Sequence, residues 1–159
     1  MTEPEHLGLA LNLRQIAPSQ YANYNFNSMC KFGDDYIGAN EGGIFTLDSG
    51  STDAGTNIDA AFELFTTDFG IPSQKRIRSY YIGYETDGRL ILKIKDDDNN
   101  ERPFTLPAEV GGNKQVSAKI NPGRDGKGRY WMTRIENVEG SDFSIDTIIA
   151  TLIVLPKKP

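Results

Sequence analysis

An acidic run at residues 96–100, DDDNN, holds the side chains best suited to binding a metal ion. Carboxylate and amide oxygens at positions 1, 3 and 5 of such a run are calcium ligands in an EF-hand loop. That loop also requires glycine at position 6 and a bidentate glutamate at position 12, and these positions hold Glu101 and Pro107. The EF-hand is therefore excluded. A solvated hairpin tip is the favoured interpretation, a looser calcium site is the alternative, and no metal ligands are predicted.

A glycine-rich basic segment at residues 123–128, GRDGKG, has a superficial similarity to a phosphate-binding loop. A P-loop requires glycine where Asn121 stands and serine or threonine where Gly128 stands. A dinucleotide-binding turn requires glycine in place of Asp125. We therefore interpret the segment as a flexible basic loop between two strands and expect no nucleotide cofactor.

Side chains for nucleophilic catalysis are scarce. The only histidine, His6, lies near the start of the chain, and the only cysteine, Cys30, is expected to pack as a small hydrophobic residue. A single cysteine excludes an internal disulfide framework and argues against a structural zinc site. We predict that the chain is not an enzyme, and we assign it no catalytic or cofactor-binding residues.

Two groups of closely spaced aromatic residues could serve either a hydrophobic core or a sugar-binding platform. The groups are Tyr21, Tyr24 and Phe26, and Tyr80, Tyr81 and Tyr84. A core role is the favoured interpretation, and a glycan platform is the alternative. Trp131 alternates with Thr133 and Ile135 on one strand face, which makes Trp131 the candidate core anchor.

The charge pattern limits the possible partners. Residues 1–74 hold 2 basic and 10 acidic side chains, whereas residues 75–159 hold 15 basic and 12 acidic ones. Acidic residues interleave the basic ones throughout, so no nucleic-acid partner is expected. The longest apolar run, residues 148–155, is far shorter than the roughly 20 residues that span a bilayer, and no targeting segment is recognised. We therefore expect no membrane association.

The first 20 residues are predicted to form an extended N-terminal arm. Leu7, Leu9, Leu11 and Leu13 recur at every second position, which indicates an extended segment with one apolar edge. The arm packs either on the chain's own core or on a neighbouring subunit, and these leucines are the candidate assembly residues.

Residues 21–159 are predicted to form one domain, an antiparallel, jelly-roll-like β-sandwich. Short alternating segments separated by Gly, Asp and Asn turns favour this all-β class, and the 159 residues suffice to bury a core. One predicted strand places Leu90, Leu92 and Ile94 inward and its lysines outward. Another places Arg76, Arg78, Tyr80, Ile82 and Tyr84 on one face. The last segment, residues 142–155, is apolar on both faces and is expected to run through the centre of the fold.

Three stretches together resemble virion structural proteins of tailed bacteriophages and prophages. The first stretch is YNFNS (24–28), YIGA (36–39) and GIFTL (43–47). The second is IDA (58–60), TDFG (67–70) and KR (75–76), and the third is GRYW (128–131), EN (136–137), GSDFSID (140–146) and LPKK (155–158).

This resemblance implies a structural component of a phage tail, near the tail tip, baseplate or fibre attachment region. Such a component forms a homo-oligomer and contacts other tail proteins. It resides in the virion and is present in the host cytoplasm during assembly. The resemblance supplies no catalytic residues. The alternative is a carbohydrate-binding module that recognises a host-surface glycan.

Overall fold

A computed structural model describes residues 6–14, 16–47, 50, 52–53, 55–108, 116–124 and 126–156. The chain divides into two compact units, Met1–Gly50 (unit 1) and Ser51–Pro159 (unit 2). All strand pairs in the described ranges are antiparallel, and these ranges contain no helix. Accordingly, no helix that could cross a membrane is found there. The predicted all-β class is confirmed.

Unit 1 contains two small sheets. The strands are β1 (Leu7–Asn12), β2 (Ala17–Ala22), β3 (Ser28–Phe32), β4 (Asp35–Asn40) and β5 (Gly43–Leu47). β1 pairs with β2, and β4 lies between β3 and β5 in a three-stranded meander. Gly33 and Gly43 have positive φ angles of 64° and 134°, which suits them to the two turns of the meander.

The predicted extended arm is not confirmed. Strands β1 and β2 pair as an antiparallel hairpin, in which Leu7 pairs with Ala22 and Asn12 pairs with Ala17. The side chain of Asn12 accepts a hydrogen bond from the backbone N–H of Arg14 (3.0 Å), which tightens the turn. The alternation of leucines identified a strand, but it carried no information on the second strand that pairs with it. The predicted boundary at residue 20 falls inside β2.

Unit 2 is an antiparallel sandwich of a four-stranded and a three-stranded sheet. Its strands are β6 (Thr52–Asp53), β7 (Thr56–Asn57), β8 (Ala61–Thr67), β9 (Lys75–Thr86), β10 (Leu90–Asp96), β11 (Glu101–Leu106), β12 (Val116–Ile120), β13 (Trp131–Asn137) and β14 (Phe143–Val154). The larger sheet has the order β11-β10-β13-β8 and the smaller one β12-β9-β14. β6 and β7 form a separate short pair.

The core lies between these two sheets. Its buried hydrophobic residues are Ile77, Tyr80, Ile82, Tyr84, Leu90, Leu92, Ile94, Leu106, Trp131 and Ile135. A hydrogen bond of 2.8 Å joins the hydroxyls of Tyr80 in one sheet and Thr133 in the other. The alternation of β10, with Leu90, Leu92 and Ile94 inward, is as predicted.

The predicted face of β9 is wrong at its first half. Ile77 is buried and Arg78 is exposed, so neither Arg76 nor Arg78 shares the inner face with Tyr80. Ile77 pairs with Leu152 and Ser79 with Thr151, which leaves Arg78 without a counterpart in β14. This β-bulge shifts the alternation by one residue, and a strict period of two cannot anticipate it.

The predicted central position of the last strand is also wrong. In the described sandwich β14 pairs only with β9, along almost the whole length of both strands, and forms an edge of the smaller sheet. Ile148 packs against the core, whereas Ile149 points outward and is more than half exposed. Apolar residues on both faces therefore reflect an exposed outer row, not burial on both sides.

Candidate functional site

The four predicted assembly leucines of unit 1 are exposed to solvent. Leu7 and Leu11 are about half exposed, Leu9 is 77% exposed and Leu13 is 83% exposed. On the other face of β1 only Gly8 is partly covered, since a Cβ atom added there would lie only 2.8 Å from the Tyr24 ring, whereas Ala10 and Asn12 are exposed. The alternation in β1 therefore directs glycine toward the aromatic packing of unit 1 and the leucines toward water.

The first aromatic group forms the packing inside unit 1. The ring centroids of Tyr21 and Tyr24 lie 5.6 Å apart, those of Tyr24 and Phe26 5.0 Å apart at 85°, and those of Phe26 and Phe45 5.8 Å apart. Gly38 lies under Phe26, where an added Cβ would come within 2.7 Å of the ring. The steep angle between the rings of Tyr24 and Phe26 is typical of edge-to-face core packing, not of a flat platform.

Almost all described residues of unit 1 are exposed or partly exposed. Among its described residues only Gly38 is buried. Besides the leucines, its exposed large apolar side chains are Ile16, Tyr21, Met29, Phe32, Tyr36 and Ile44. Arg14 is the only charged residue between positions 7 and 24. We call the four leucines together with these six side chains the unit 1 apolar surface. Large contiguous apolar patches on monomeric proteins are typical of interaction sites.

The second aromatic group and Trp131 lie mainly in the core of unit 2. Trp131 is 2% exposed, Tyr80 and Tyr84 are buried, and Tyr81 alone faces solvent, at 45% exposure. Burial raises the pKa of the Tyr80 phenol, and the hydrogen bond with Thr133 offsets part of this effect. Burial also raises the pKa of Tyr84, whose hydroxyl donates to the carbonyl of Pro107 (2.7 Å).

The acidic residues at 96–100 form the turn between β10 and β11, as the hairpin interpretation requires. The carboxylate of Asp96 accepts hydrogen bonds from the backbone N–H groups of Asp98 (3.1 Å) and Asn100 (2.9 Å). It also lies 3.7 Å from the guanidinium of Arg102. The carboxylates of Asp96, Asp97 and Asp98 approach one another within 4.8 Å. The hydrogen bonds to Asp96 account for this clustering as a capped turn.

The glycine-rich segment is attached to the sandwich through its last residues. Gly128 exchanges two backbone hydrogen bonds of 3.0 Å with Lys75 at the start of β9. The ammonium group of Lys75, a fully buried side chain, donates to the carbonyl of Arg129. The N–H group of Gly128 is therefore used within the fold. The position of Asp125 in the same segment lies outside the described residues.

The remaining two singled-out residues are both in unit 1. Cys30 is exposed, so its predicted packing as a small core residue is wrong. It follows Met29 on β3, a strand whose five residues are all exposed. His6 is also exposed, and its backbone carbonyl accepts a hydrogen bond from the N–H of Tyr24 (3.3 Å).

A network of charges covers the outer face of the larger sheet. Glu136 of β13 accepts from Lys93 (2.7 Å) and Arg134 (2.6 Å), and Arg134 also contacts Glu63 (3.0 Å). Partial burial acts to raise the pKa of Glu136, but the hydrogen bonds from Lys93 and Arg134 outweigh it, and the pKa is lowered. This face is therefore a charged, solvated surface.

Phe65 of β8, a residue not predicted to be functional, is 95% exposed. The signal was present in the sequence, since Phe65 directly follows Leu64 and breaks the alternation of that strand.

Comparisons with protein-family models, curated proteins and solved structures found no match to this chain.

Proposed function

We propose that this chain is a non-catalytic structural component of a phage tail, at the tail tip, baseplate or fibre attachment region. In this role it assembles as multiple copies and contacts other tail proteins, first in the host cytoplasm and then in the virion. The observation that carries the proposal is the unit 1 apolar surface. Its ten large apolar side chains are exposed, whereas only one described residue of that unit is buried. The resemblance of its sequence stretches to tail proteins supplies the virion context.

The energetics of unit 1 support assembly. Burying one fully exposed leucine side chain stabilises a protein by about 1.5–3 kcal/mol. Unit 1 leaves most of this gain unused at Leu9 and Leu13 and about half of it at Leu7 and Leu11. A partner that covers the leucines recovers it. Because the surface around β1 is nearly uncharged, its contact with a second apolar surface incurs little cost of charge desolvation.

The test uses the full chain and one charge placed on the leucine row. Leu9→Lys introduces an ammonium group at an exposed position, so the fold is expected to persist and assembly to be lost. The matched control is Ser19→Lys, which adds the same charge to the exposed β2 strand of the same hairpin. Light scattering gives the mass and circular dichroism checks the fold. Assembly of the Leu9→Lys variant at the parental mass contradicts the proposal.

A carbohydrate-binding module is the second candidate, and the surroundings of Tyr81 favour it. A shallow depression of about 220 Å³ is lined by Tyr81, Gly83, Ser117, Asp146 and Thr147, among others. An exposed tyrosine ring beside hydroxyl and carboxylate groups suits stacking and hydrogen bonding to a sugar. Binding of host-surface polysaccharide that is lost in Tyr81→Ala supports this candidate. Absence of binding by the parent chain argues against it.

A further inference from the structure

Strand β8 is an edge of the larger sheet with an open backbone. It pairs with β13 on one side, and no described strand pairs with it on the other. Edge strands present unpaired N–H and C=O groups, and natural proteins usually protect them with charges or proline. The opposite edge of this sheet, β11, carries Arg102 and Pro103. β8, with the sequence AFELFTT, has neither an arginine nor a proline.

The hydrophobic core of unit 2 continues onto β8 but is not covered there. Phe62 pairs with Ile135 and Leu64 with Thr133, so these four side chains lie on the inner face of the sheet. Ile135 and Thr133 are buried, whereas Phe62 is 41% exposed and Leu64 is 37% exposed. The inner row of the sandwich therefore ends with two incompletely covered hydrophobic residues.

A β-bulge limits the regular part of this strand to its first half. Between the pairs Thr133–Leu64 and Trp131–Thr67, β8 has one residue more than β13. The exposed ring of Phe65 lies in this irregular part. The regular part, residues 61–64, contains one charge, Glu63, and Arg134 of the same chain contacts its carboxylate at 3.0 Å. The strand therefore offers a nearly neutral, apolar edge.

We propose that β8 pairs antiparallel with β8 of a second copy of this chain, around a two-fold axis that passes beside Phe62. This pairing joins the two four-stranded sheets into one and keeps both inner faces on the same side. It places Phe62 opposite the second copy's Phe62 and Glu63 opposite its Ala61, so no like charges meet directly. Residues 61–63 are thus complementary to themselves in face and charge. The inference concerns unit 2 alone and does not depend on the proposed virion role.

Thiol crosslinking of the full chain tests the pairing. In a Cys30→Ser background, Glu63→Cys places a thiol on the outer face of β8, away from the core. Under the proposed register the two introduced thiols are diagonal neighbours, with Cβ atoms about 7–8 Å apart, within reach of a short bismaleimide. We expect most of the chain to be captured as a covalent dimer. The control is Ile149→Cys on β14, an exposed outward residue on the edge of the other sheet.

Two further variants separate this contact from assembly through unit 1. Phe62→Lys, added to the Glu63→Cys protein, sets two ammonium groups opposite each other and is expected to abolish the crosslink with an unchanged circular dichroism spectrum. Leu9→Lys in the same protein is expected to leave the crosslink intact. Capture of Glu63→Cys no greater than that of Ile149→Cys, or loss of the crosslink in the Leu9→Lys protein, overturns the proposal.

Discussion

The hydrogen bond between the hydroxyls of Tyr80 and Thr133 is a polar contact across the two sheets inside an otherwise apolar core. Tyr80→Phe removes one hydroxyl and leaves the other without its partner, and Thr133→Val does the reverse. An unsatisfied polar group in a dry core costs about 1–3 kcal/mol, so each single substitution should lower the free energy of unfolding by about that amount.

The double variant makes the reasoning testable. When both hydroxyls are removed, no polar group remains unsatisfied, and the total loss should be no greater than that of one single variant. A double-mutant cycle should therefore give a coupling energy of at least about 1 kcal/mol. Urea unfolding followed by the fluorescence of Trp131, the only tryptophan, supplies the free energies. The control is Tyr81→Phe at the exposed neighbouring position, which should change stability by less than about 0.5 kcal/mol. Additive single effects, with no coupling, would refute a hydrogen bond between the sheets.

Three further predictions concern unit 2. Trp131→Ala should lower the free energy of unfolding by about 3–5 kcal/mol because it empties a core position. Trp131→Phe should cost less, since the buried indole N–H has no hydrogen-bond partner among the described residues and no hydrogen bond is lost. Equal stabilities of the two variants in urea unfolding would contradict this. Glu136→Gln should lower the free energy of unfolding by up to about 1 kcal/mol at pH 7. The difference between variant and parent should disappear as the pH falls through the lowered pKa of Glu136, because only the ionised carboxylate stabilises the folded state. Parallel unfolding curves at pH 7 and pH 3 measure it, and a difference that persists in acid is the opposing result. Above pH 10 the buried phenol of Tyr80 should lower the free energy of unfolding of the parent by about 1.4 kcal/mol per pH unit. The reason is that the phenol ionises only in the unfolded chain until the pH reaches its raised pKa in the folded chain. A Tyr80→Phe protein whose stability falls equally steeply with pH would contradict this assignment.

Periodicity predicted those parts of the fold in which one face of a strand is buried and the alternation is unbroken. The inward row of Leu90, Leu92 and Ile94 is of this kind, because each step of one residue reverses the side-chain direction. The same rule failed on β9, since the bulge at Arg78 inserts one residue and exchanges the two faces. Bulges depend on the pairing with a neighbouring strand, and no signal for this one was recognised within the strand itself.

The order of the strands and the partner of each strand could also not be predicted from the local sequence pattern. The leucines of β1 indicated a strand correctly, but the hairpin with β2 is determined by pairing and by the turn that Asn12 stabilises. The apolar last strand was expected at the centre of the fold, whereas β9 has that position in its sheet and β14 forms an edge. Composition reports how apolar a strand is, and it does not report which neighbours the strand acquires.

Immunogold electron microscopy tests the central proposal most directly. Cultures of the organism that encodes this chain are fractionated for tailed particles, and the particles are labelled with an antibody raised against the chain. We predict gold at a fixed position on the tail, at the tip, baseplate or fibre attachment region, with several labels per particle. Particles that remain unlabelled, while the same antibody detects the chain in the particle-free fraction, would contradict a role as a tail component.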